Sequence, residues 1–97
     1  KAIEISPNFA EAYNNLGNVY RKMNIPEEAI QAYRKALSID FNLFESHYML
    51  ASSYMQIGAY ENAFEEFGIC LRFRTDIRTS EDIREKMKSL QEKLKMK

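Results

Sequence analysis

Ninety-seven residues with 45% hydrophobic and 29% charged content describe one small folded domain with a modest core, not a disordered chain. No apolar run approaches the roughly 20 residues that span a bilayer, so no membrane partner is expected, and the lone Cys70 excludes an internal disulfide or a cysteine-based zinc site. The net charge of zero hides an uneven spread, −4 over residues 1–70 and +4 over residues 71–97, read as two solvated surfaces of opposite sign.

The first nine residues finish an element. Shifted forward by 34, they set Lys1 on Lys35, Ala2 on Ala36, Ile5 on Ile39 and Asn8 on Asn42. Pro7 is expected to stop this helix, and Asn8 with Glu11 to cap the next as N-cap and capping-box pair. Over residues 9–23, Tyr13, Leu16, Gly17 and Tyr20 recur at steps of three and four, which is one face of a helix. Asn24 takes a turn position where it tolerates a left-handed backbone. A second helix over residues 26–39 then opens on Pro26, whose missing N–H costs little there. Its apolar face carries Ala29, Tyr33 and Ala36.

A copy follows from Phe44, with Asn42 and Glu45 repeating the cap pattern. Leu16, Tyr20, Ala29 and Leu37 recur as Leu50, Tyr54, Ala63 and Leu71. Gly17 gives way to Ala51, Tyr33 to Phe67, Ala36 to Cys70, Tyr13 to His47 and Asn24 to Gly58. One more shift puts Arg84, Glu85 and Lys88 on the packing face, which excludes a third copy. Instead, Thr79 or Ser80 is expected to cap a longer helix to about residue 95. Its stripe of Ile83, Met87, Leu90 and Leu94 covers the last hairpin, as the end of a repeat array requires, in preference to forming a coiled coil.

This spacing resembles the tetratricopeptide repeat. The resemblance implies an all-α fold, an α-solenoid of antiparallel helix-turn-helix repeats with a C-terminal capping helix. Residues 1–9 would end a preceding repeat, 10–43 and 44–77 form two repeats, and 78–97 form the cap. It also implies that the first helix of each repeat lines a concave groove. The residues opposite the packing stripe are Glu11, Asn14, Asn15, Asn18, Arg21 and Lys22 in the first copy, and Glu45, Tyr48, Met49, Ser52, Met55 and Gln56 in the second. Of these, Asn14, Asn15, Asn18, Arg21, Lys22, Tyr48, Met49, Ser52 and Met55 are expected to hold a peptide or protein segment. Asparagines one turn apart offer both donor and acceptor to an extended backbone. The carboxylate clamp of the chaperone-binding members is not expected. Asn18 matches one clamp position, but Asn14 and Met49 replace two others.

No set of residues is arranged for catalysis, and no cofactor or metal is called for. There is no Gly-rich phosphate loop, HExxH or nucleophile elbow. His47 stands on the packing face and is read as a structural ring, and Cys70 as a core residue on a small-residue site. Arg72, Phe73, Arg74 and Arg78 form a basic and aromatic cluster. Zero net charge and the lack of a readout motif count against nucleic acid as its partner. The expected function is a non-catalytic interaction scaffold. The alternative is self-association into homo-oligomers, through the open end at Ile3, Ile5 and Phe9 and through the positive C-terminal helix.

Overall fold

Two left-handed residues set the hairpins. Asn24 (φ 64°) and Gly58 (φ 83°) lie 34 positions apart, at the turns between α-helices inside the two hairpins. Each is followed by the same closing bond: the Ile25 amide donates to the Tyr20 carbonyl and the Ala59 amide to the Tyr54 carbonyl, both at 2.9 Å. The computed structural model describes residues 2–73 and 75–95, with side chains from residue 9 onward. Five helices run in order: α1 (Ala2–Lys22), α2 (Pro26–Ile39), α3 (Phe44–Gln56), α4 (Tyr60–Cys70) and α5 (Ile77–Lys95). Each packs on the next, and α1 also meets α3. The result is an α-solenoid of two hairpins and a terminal helix, 49 × 29 × 18 Å, so no side chain lies far from solvent.

Each hairpin closes over one large ring. Tyr33 and Phe67 are fully buried at equivalent places. Gly17 lets α1 approach Tyr33 closely: a Cβ there would stand 2.6 Å from the ring carbon Cε1. Ala51 serves the same position in the second hairpin and is itself buried. On α5, Ile83 and Leu90 are fully buried and Met87 packs against the same core, whereas Arg84, Glu85, Lys88 and Glu92 face water. The last helix therefore covers α4 and offers a charged outer face.

Three local expectations change. The helix expected to end at Pro7 does not end there, because α1 is continuous from Ala2. A proline removes one ladder bond and strains its turn, but the residues on either side keep theirs. The side chains of Ile3, Ile5, Pro7 and Asn8 lie outside the described residues, as does Arg74. Asn42 does not cap α3. Leu43 is the N-cap without a side-chain bond, and the Asn42 amide donates to the Asp40 carboxylate at 3.1 Å. Asp40 turns the chain one step earlier and takes Asn42 out of the cap position. Lastly, α5 starts at Ile77, before Thr79 and Ser80. The Asp76 carboxylate accepts the Thr79 amide at 2.9 Å, the N-cap bond to the third helical residue. These hydrogen bonds to Thr79 hold the Asp76 carboxyl below its ordinary range.

Candidate interaction groove

The outward faces of α1 and α3, with the start of α5, form two adjoining clefts. The larger, about 490 Å³, has Phe44, Tyr48 and Met49 on one side and Arg78, Thr79 and Asp82 on the other, with Glu45 at its edge. Its floor is aromatic: Phe44 and Tyr48 lie 6.1 Å apart between ring centroids, and Tyr48 meets the buried Phe67 edge-on at 5.6 Å. The Tyr48 hydroxyl donates to Asp82 Oδ2 at 2.8 Å. Burial and the Asp82 carboxylate push the phenol up to about 12, so it stays a neutral donor. Lys86, one turn on along α5, stands 3.5 Å from the other Asp82 oxygen.

The smaller cleft, about 250 Å³, runs from Phe44 and Glu45 across Asn42 to Glu11, Asn14 and Asn15 on α1. The two clefts share Phe44 and Glu45, which joins an apolar site to a polar one. Its floor holds a buried bond: the Ser46 hydroxyl donates to Asn14 Oδ1 at 2.6 Å. Asn14 is only 8% exposed. It therefore fastens α1 to α3 and presents little surface, unlike its expected place on the rim. Ala12 and Ser46 are equivalent positions, and the hydroxyl that engages Asn14 exists only in the second copy.

The remaining expected residues divide. Asn15 is exposed beside Glu11, as the smaller cleft requires. Asn18 is half-buried and lies outside both clefts; it accepts the Tyr33 hydroxyl at 2.5 Å, which engages its oxygen and leaves its NH₂ as a donor. Burial raises the Tyr33 phenol, while the nearby Arg21 pulls it partly back. Arg21 and Lys22 are exposed in the last turn of α1, where cations suit the helix dipole, but they line neither cleft. Ser52 and Met55 are half-buried and also lie outside both. Thr79 and Asp82 were missed as site residues. Their place follows from the observed start of α5: a helix opening at residue 77 sets 78, 79 and 82 on one face, whereas one capped at Thr79 or Ser80 leaves Arg78 and Thr79 outside it.

His47 and Cys70 lie behind this surface. Both are fully buried. Burial, with a contribution from Glu66, pushes the Cys70 thiol up to about 12, which keeps it a neutral core residue. Among the described residues, no three His, Cys, Asp or Glu side chains gather as a metal site.

Two hairpins, a covering helix and an outward groove define a helical-repeat fold. Tetratricopeptide repeat profiles match residues 10–43 and 44–74, and the chain belongs to the tetratricopeptide repeat family. It is similar to the peroxisomal targeting signal receptor of Kluyveromyces lactis, 44% identical over 66% of this chain and 11% of that protein. The protein of the same name from Saccharomyces cerevisiae is 39% identical over 64% of this chain and 10% of its own length. Mouse protein O-mannosyl-transferase TMTC3 is 40% identical over 59% of this chain and 6% of its own. The chain thus spans about a tenth of these relatives or less.

Proposed function

We propose that this chain is a non-catalytic binding module that holds a peptide segment of a partner protein in the groove of α1, α3 and α5. The observation that carries this reading is the 490 Å³ cleft, whose apolar floor of Phe44, Tyr48 and Met49 is framed by Glu45, Arg78 and Asp82. An apolar pocket with a few converging polar groups is the usual shape of a recognition site. An apolar side chain of the segment would enter this cleft, while Asn15 and the NH₂ of Asn18 bond its backbone. Relatives named as receptors for a targeting signal support a peptide as the ligand class. Residues 1–9 are read as the end of a preceding repeat from their alignment with residues 35–43 alone.

The test starts from a display library of short random peptides selected on the immobilised chain. Selected peptides should bind the wild type and lose at least about tenfold in affinity, roughly 1.4 kcal/mol, for the combined Asn15→Ala, Asn18→Ala and Tyr48→Ala variant. The variant should remain helical by circular dichroism at the assay temperature, although losing the Asn18–Tyr33 and Tyr48–Asp82 bonds lowers its melt. Unchanged affinity rules the groove out.

A second reading, self-association, is favoured by one observation. Phe9, Leu16 and Val19 on one face of α1, and Met23 just past its end, are 55, 40, 50 and 59% exposed. In α3 the equivalent Leu50 and Ser53 are buried. Sedimentation over a range of concentration and salt decides it: a monomer throughout removes this reading.

A further inference from the structure

We propose that His47 is a positioning residue, held as a buried imidazolium that pins α3 to α4 and to the loops at either end, and so fixes the apolar end of the groove. Both ring nitrogens face acceptors. Nδ1 lies 2.7 Å from Glu66 Oε1 on α4, and Nε2 lies 2.8 Å from the Phe41 carbonyl oxygen in the loop before α3. A neutral imidazole carries one N–H, so one ring lone pair would be pressed against an acceptor at this distance. Two acceptors require two donors, and only the cation has them. The other arrangement, a protonated Glu66 donating to a neutral ring, places the proton on the less basic group. That carboxylate is 19% exposed and keeps contact with water.

The surroundings suit a charge at this point. The Phe41 ring meets His47 edge to face at 4.7 Å, and the Phe73 ring from the loop before α5 stands 5.8 Å away. Glu66 is the facing acid from α4. From α2, Arg34 lines the same 370 Å³ cleft but is exposed, so water screens its like charge. Tyr54 on α3 lines that cleft too, the Cys70 thiol on α4 stays neutral, and Asp40 in the loop is engaged by the Asn42 amide. Burial works against the charge, but the hydrogen bonds that the ring donates to Glu66 and to the Phe41 carbonyl outweigh it, with the Glu66 charge, and raise His47 above its ordinary value of 6.5. In the first repeat the equivalent Tyr13 instead has the Lys35 ammonium 5.8 Å over its ring. The second copy has moved its cation into the ring itself.

Phe73 links this latch to the groove. It touches His47 and also meets Phe44 edge-on at 5.6 Å, and Phe44 adjoins Tyr48. Loss of the second ring proton would release either the Phe41 loop or Glu66 and disturb the packing beneath Phe44. This consequence for binding rests on the groove reading, whereas the charge state of His47 does not. Because the folded value is raised, the stabilisation is complete below the unfolded value near 6.5 and is lost as pH rises through the folded value.

His47 is the one histidine of the chain, so its ring signals are unambiguous. A long-range ¹H–¹⁵N spectrum of the full chain at pH 7 should show both ring nitrogens protonated. The titration midpoint should lie above 6.5 and move down in Glu66→Gln. The wild-type melting temperature should fall between pH 6.5 and 8, below the range in which the Cys70 thiol of the unfolded chain ionises, while His47→Gln should lose that dependence. A single neutral tautomer at pH 7, or a midpoint indifferent to Glu66→Gln, overturns the latch. If the ring is a cation but selected peptides bind equally from pH 6.5 to pH 9, the positioning role is overturned, while groove binding keeps its own test.

Discussion

Replacing Gly17 by alanine drives a methyl group into the Tyr33 ring. The added Cβ would stand 2.6, 2.7 and 2.8 Å from Cε1, Cδ1 and Cζ, against the roughly 3.5–4.0 Å of a relaxed carbon contact. The ring must retreat by about 1 Å. It is fully buried and its hydroxyl is held by Asn18, so it cannot swing aside freely. Overpacking of this kind costs about 1–3 kcal/mol, and alanine returns about 0.5–1 kcal/mol as a better helix former. The net expectation is a loss of about 1 kcal/mol, or a melting temperature lower by roughly 4–8 °C in a domain of this size. Gly68 is the control, because its added Cβ would meet only Met87 Cε, at an ordinary 3.8 Å. Gly68→Ala should therefore raise the melting temperature through helix propensity alone. Both are read by circular-dichroism melts at one pH. A Gly17→Ala protein that melts at or above the wild type refutes the close approach of α1 to Tyr33.

Other perturbations test the remaining joints. Asn14→Ala or Ser46→Ala strands the other partner of a buried bond between the hairpins, and each should cost about 1–3 kcal/mol in urea unfolding. The double variant should cost less than the sum of the two. Cys70 should resist a disulfide reagent at pH 8 in the folded chain and react fully in denaturant; rapid labelling of the native state contradicts its burial. Because the Asp76 carboxyl is held low, its contribution is present above the ordinary carboxylate value of 3.8 and fades as pH falls through the folded value. Asp76→Ala should accordingly lower the melt at pH 7 and lower it progressively less as pH falls below 3.8.

The periodic features were the readable ones. A 34-residue shift relates Asn24 to Gly58 and Tyr33 to Phe67, and a helical face repeated in this way has to be buried. The stripe of Ile83 and Leu90 was legible for the same reason. What escaped depended on neighbours brought near only by folding. Asn14 sits on the outward-looking side of its own helix, and only the arrival of Ser46 from α3 turns that side inward. The two acceptors around His47 come from residues six and nineteen positions away on different elements, which helix periodicity does not relate. The caps were misplaced, that of α3 by one residue and that of α5 by three or four, because Asp40 and Asp76 compete with Asn42 and Thr79 for similar roles. On the groove, Tyr48 and Met49 were visible from the second face of α3, but their counterparts Thr79 and Asp82 required the true start of α5.

The most direct measurement is a ¹H–¹⁵N correlation spectrum of the chain, titrated with a library-selected peptide. Amide shifts should concentrate at residues 44–49 and 78–82, which frame the large cleft, and extend to Asn15 and Asn18. Shifts confined to the α1 face of Phe9, Leu16 and Val19 with the adjoining Met23, or to α2 and α4, would contradict binding in the groove.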